Sequence, residues 1–131
     1  MKWQSTLFVL GALASQAFCD TIECNISEDY ADGGAIADGI DYVNGLDGYP
    51  TAKPGSKPGE CSRVSCSYGS GIFVCSDDGK EHPLKSWKTI GDVTQKVVDE
   101  CTVPQPYGES FVKGTLTAPN GWSVSVHKGD C

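Results

Sequence analysis

The sequence carries few of the groups that do chemistry. Only two histidines occur in 131 residues, His82 and His127. Serines and aspartates abound, but no Gly-x-Ser-x-Gly elbow accompanies them, so the usual nucleophile turn of a serine hydrolase is missing. There is no Cys-x-x-Cys, and Cys61/Cys66 and Cys66/Cys75 are spaced too widely for a zinc knuckle. Asp77, Asp78, Glu81 and His82 form a polar stretch without the ligand spacing of an EF-hand, so no metal and no cofactor are expected. The paired carboxylates Asp77/Asp78 and Asp99/Glu100 are sequence neighbours, whose side chains do not converge on one bond in a helix or strand. The reading is therefore not an enzyme, with no catalytic residues.

A basic excess is also lacking. Ten Lys and Arg stand against 17 Asp and Glu, for a net charge of −7. That excludes nucleic acid and anionic membrane surfaces as general partners. Long apolar runs are absent apart from one at the front, roughly Leu7 to Ala14, far short of the ~20 residues of a membrane span. Residues 1–17, MKWQSTLFVLGALASQA, have the order of a secretory signal peptide: Lys2, an apolar core, then small residues. Cuts after Ala14, Ala17 or Cys19 all fit, so the expected domain runs from about residue 18 to 131. It is secreted and extracellular, with no stable membrane insertion. Loss of Lys2 leaves nine basic against 17 acidic residues, a net charge of −8.

What the chain does have is cysteine, at positions 19, 24, 61, 66, 75, 101 and 131. In a secreted domain of this size that is a disulfide framework. Either alanine cut leaves all seven, an odd number that implies a free thiol or an intermolecular bridge. A cut after Cys19 leaves six. Asn25-Ile26-Ser27 is a glycosylation sequon at Asn25.

Along the chain, Ile36, Ile40 and Val43 predict an amphipathic helix over 31–46, its glycines packed closely against a sheet. Residues 47–60, with three prolines and three glycines, read as a surface loop. CSRVSC and IFVCS predict a hairpin around SYGSG, with Val64, Ile72 and Val74 in the core. Residues 76–85 read as a polar loop. Ile90, Val93, Val97, Val98 and Cys101 make one helical stripe over 86–101, capped by Ser86 or by Thr89 with Asp92. FVKGTLTAPNGWSVSVHKGDC predicts two strands around Pro119-Asn120-Gly121. Trp122, Val124 and Val126 should face the core, with Ser123, Ser125 and His127 wet. The order helix, hairpin, helix, hairpin predicts an α+β fold: a small disulfide-stapled α/β sandwich, an antiparallel sheet covered by two helices.

These residues resemble the small secreted fungal killer toxins of the virally encoded, calcium-channel-blocking type. The likeness lies in SCSYGSGIFV, IGDVTQKVVDEC, VKGTLTA and WSVSVHKGDC, with AIADGIDYVN as the first helix. The resemblance implies a small α/β sandwich and the pairs Cys24 (or Cys19) with Cys101, Cys61 with Cys75, and Cys66 with Cys131. It also implies a non-enzymatic action on calcium uptake in target cells. Two departures stand out. The toxins have a further cysteine after the helix, where this chain has Thr102-Val103-Pro104. They are also basic, with a functional lysine at the position of Val64, so that Arg63 is the nearest cation here.

The first functional reading is a secreted toxin-like or effector protein acting on other cells. Its partner is a protein on or near the target cell surface, a calcium channel if the resemblance holds. Arg63 and Lys57 are the target-binding candidates, and Lys53, Lys85 and Lys88 are further cations. The second reading is an apoplastic binding module or inhibitor of a host hydrolase, presenting the 47–60 loop. A small hydrolase is third.

Overall fold

The computed structural model describes residues 20–25, 28–57 and 60–131. The predicted leader and Cys19 lie outside them. The elements are β1 (Thr21–Cys24), β2 (Ala31–Asp32), α1 (Gly33–Asn44), β3 (Thr51–Ala52), β4 (Cys61–Ser67) and β5 (Ser70–Ser76). They continue with β6 (His82–Pro83), α2 (Trp87–Cys101), β7 (Thr102–Pro104), β8 (Ser110–Val112), β9 (Gly114–Thr117) and β10 (Trp122–Lys128).

Asp32 starts α1. Its backbone is extended and its carboxylate accepts the Ala35 amide at 3.0 Å, satisfying an amide that the first turn leaves without a partner. Gly45 ends it, bonding back to Tyr42 and Val43. The buried face is Ala35, Ile36, Gly39, Ile40 and Val43. A Cβ on Gly39 would lie 2.7 Å from Ser65 Oγ and 3.0 Å from Ile72 Cδ1, so the bare backbone lets α1 settle directly on β4 and β5.

Helix α2 buries Ile90, Val93, Val97 and Cys101 as the stripe predicts, with Val98 half-buried. Its start differs from expectation. Ser86 occupies the capping position, but its side chain makes no cap bond. Instead the Ser86 carbonyl takes the Thr89 amide at 3.1 Å, and Asp92 is engaged by the Lys88 ammonium at 2.9 Å. Lys96 reaches Asp20 at 3.5 Å.

The main sheet is antiparallel in the order β1-β9-β10-β5-β4, with a smaller ribbon β2-β8-β7 and the short pair β3-β6. Two helices, antiparallel sheets and three disulfides define a small stapled α+β protein. Register places Leu116 opposite both Ile22 and Val124, and Val74 and Ile72 opposite Val124 and Val126. These side chains join the buried helix stripes in one core.

Several elements depart from the sequence reading. FVKGTLT is not one strand: β8 pairs with β2 and β7, and β9 enters the main sheet after Lys113. TIEC adds an unpredicted edge strand. The 47–60 loop is tied down where Thr51-Ala52 pairs with His82-Pro83 and the Leu84 amide bonds Pro50 at 2.9 Å. Val64 is half-buried rather than core, because a bulge between Arg63 and Ser65 leaves it without a ladder partner. The outer face of β10 is not uniformly wet. Ser123 is buried and bonds Asp77 at 3.1 Å, and His127 is half-buried. Its ring stacks on Phe73 with centroids 4.2 Å apart and 4° between planes.

The disulfides are Cys24–Cys101, Cys61–Cys75 and Cys66–Cys131, the pairs the resemblance implies, with Cys24 as the partner of Cys101. The first bolts β1 to the end of α2 across Gly114, where a Cβ would come within 2.6 Å of Cys101 Sγ.

Candidate functional site

Arg63 is the sole arginine of the chain. It stands exposed on the edge strand β4, just before the bulge, and its Nη1 donates to the Asp130 carbonyl. The cation is thus held against the segment that Cys66–Cys131 secures. Two hollows meet at Arg63 and Val64. One, of about 400 Å³, lies between α1 and β4 with Asp38 and Tyr42 in its wall. The other, of about 380 Å³, is lined by Tyr49, Lys53 and Trp87 among others. Tyr42 and Tyr49 are 58 % and 80 % exposed, so two aromatic rings stand in water beside the only guanidinium. Exposed rings of this kind are typical anchors of protein contacts.

Lys57 lies elsewhere. It is exposed and lines a hollow of about 370 Å³ together with Glu60, Ser76 and Asp77. Glu60 closes this turn by accepting from Ser56 Oγ at 2.9 Å and from the Lys57 amide at 3.1 Å. The structure therefore brings Lys53, not Lys57, to Arg63. Lys85 is exposed, and Lys88 is occupied by Asp92. Asn25 is exposed immediately after β1, while Ser27 of its sequon is outside the described residues.

Among the described residues no three His, Cys, Asp or Glu side chains form a metal-holding group. His82 and His127 have different surroundings. His127 is packed on Phe73, its Nδ1 2.7 Å from the Lys128 carbonyl oxygen. His82 Nε2 lies 2.7 Å from Asp78 Oδ1.

The Asp78 carboxyl is held below its ordinary value of 3.8, first by the His82 hydrogen bond and then by the Lys80 amide. A carboxyl depressed by folding contributes stability above that ordinary value, lost as pH falls through the lower folded one. Melting of the wild type should exceed that of Asp78→Asn near neutral pH, and the gap should narrow as pH falls below 3.8 and through the lower folded value. A gap independent of pH would remove the Asp78 carboxylate's hydrogen bonds from the account.

The exposed tyrosines escaped the sequence reading because tyrosine counts as apolar in any pattern. The one available signal was phase: Tyr42 falls off the stripe of Ile36, Ile40 and Val43.

Among the described residues no helix is long and apolar enough to cross a membrane. No family model, no curated protein and no solved structure matches this chain. Three disulfides remain the firmest pointer to its setting, since they are typical of proteins that fold in an oxidising, extracellular compartment.

Proposed function

We propose that this is a secreted, non-enzymatic toxin-like or effector protein that acts on other cells by binding a surface protein, with perturbed calcium uptake as the outcome. One observation carries the reading. The single arginine of an acidic chain stands on a stapled edge strand, where two hollows meet beside exposed Tyr42 and Tyr49. A cation flanked by aromatic rings on a rigid frame suits an anionic channel mouth or receptor surface. The resemblance in SCSYGSGIFV and IGDVTQKVVDEC, with its functional cation next to this position, supports the same reading.

The test is growth and calcium uptake of fungal and plant cells exposed to purified protein. Arg63→Glu should lower potency by about ten-fold, the equivalent of ~1.4 kcal/mol of contact. Arg63→Lys should retain most of it. Circular dichroism and an intact-mass count of disulfides should show both variants folded. Full activity in Arg63→Glu sinks the assignment of this surface.

The inhibitor reading rests on a different observation: within the 47–60 loop, Thr51-Ala52 is paired with β6, and Ser56 and Lys57 are held by the Glu60 carboxylate, as a presented binding segment requires. Loss of activity in Lys57→Glu but not in Arg63→Glu, with a soluble hydrolase recovered from host extract, would favour it. If neither change matters, the cationic-contact idea fails outright.

A further inference from the structure

The β4–β5 hairpin turns through two residues, Tyr68 and Gly69, both at positive φ (51° and 70°). Such turns favour Asn-Gly, because a bulky side chain is strained in the left-handed region. Here the first position is a tyrosine, and its ring is 89 % exposed. The ring gains no burial in return for the strain, so core packing does not account for its presence.

Tyr68 forms one wall of a hollow of about 220 Å³. Tyr30 and Phe111 form another, stacked on each other with centroids 3.8 Å apart. Glu28 and Asp32 add two carboxylates, and Lys128 stands at the rim without an ion pair to either. Aromatic faces attract cations through their quadrupole, and carboxylates add both charge and hydrogen-bond acceptors.

We propose that this hollow receives a lysine or arginine side chain from a basic partner protein, held between the three rings and the two carboxylates. The carboxylates favour an N–H-bearing cation over a quaternary ammonium, which has no hydrogen to donate. The volume suits the end of one side chain, and the overall charge of −7 favours a basic surface around it. The hollow shares no lining residue with those at Arg63, so it is a second contact, of opposite sign.

The test is an NMR titration of the oxidised protein with N-acetyl-lysine amide, N-acetyl-arginine amide, the uncharged N-acetyl-norleucine amide and tetramethylammonium. The two charged amides should shift the Tyr30, Tyr68 and Phe111 ring signals along one saturable curve, and the norleucine amide should not. Tyr68→Asn should weaken binding about three- to five-fold. The same variant should raise the melting temperature by about 3–5 °C, because asparagine suits the turn better. Glu28→Gln should weaken binding and Lys128→Gln should tighten it. Equal binding of the norleucine amide, or unchanged affinity in Tyr68→Asn, overturns the site. Tighter binding of tetramethylammonium than of either amide overturns the protein partner and assigns a quaternary ammonium ligand. Should Tyr68→Asn not fold, the exposed change Glu28→Gln carries the same decision.

Discussion

Replacing Cys66 and Cys131 together by serine should lower the stability of the oxidised protein by about 4 kcal/mol. The bridge spans 65 residues of sequence, and in the chain-entropy model a long closed loop restricts the unfolded ensemble most. The bridge Cys61–Cys75 spans only 14, and its two residues already face each other in the β4–β5 ladder. Its removal should cost about 3 kcal/mol. Urea titration of the two double variants measures the difference. Equal midpoints and slopes would mean that loop length does not set the order. The Gly129 amide bond to Gly69 and the Arg63 contact to Asp130 remain after Cys66 is lost, so the last strand should loosen without leaving the sheet. Intact mass gives an independent check: full reduction of the wild type should add six hydrogens, two for each of the three bridges.

Leu116→Ala should cost about 2–5 kcal/mol, a large part of a typical domain's ~5–15 kcal/mol. Leu116 is fully buried in β9, between Ile22 and Val124 and against the α2 stripe. Those neighbours belong to paired strands and a bolted helix, so they cannot collapse into the cavity that alanine leaves. Thr117→Ala, one residue along and exposed, should change stability by less than about 0.5 kcal/mol. Similar melting of the two variants would contradict the register described for β9.

The features legible in the sequence were those written in a long period or a strong turn. Helix α2 showed itself through five apolar positions on one stripe, and the last hairpin through Asn120-Gly121. Strand β1 did not, because TIEC is four residues long with a single apolar side chain, Ile22, turned inward. Strands β3, β6 and β7 have two or three residues each, too few for any periodicity to register. The division of FVKGTLT was hidden for another reason: the alternation of inward and outward side chains continues through Lys113, and only the hydrogen-bonding partners change. His127 was misread as wet because its shield, Phe73, arrives from a strand more than 50 residues earlier. Arg63 could be singled out beforehand. Its neighbours Tyr42 and Tyr49 could not, since they reach it only through the placement of α1 and the β3 segment.

Both margins of the five-stranded sheet are covalently fastened. On one side β1 is bolted to α2 by Cys24–Cys101, and on the other β4 is held by Cys61–Cys75 and Cys66–Cys131. A border strand is the part of a sheet most apt to peel away and pair with another molecule. Here neither border can be traded between molecules while the bridges are intact. Exchange of a border strand between two molecules therefore requires a bridge to be reduced first, so any swapped dimer should form only under reducing conditions.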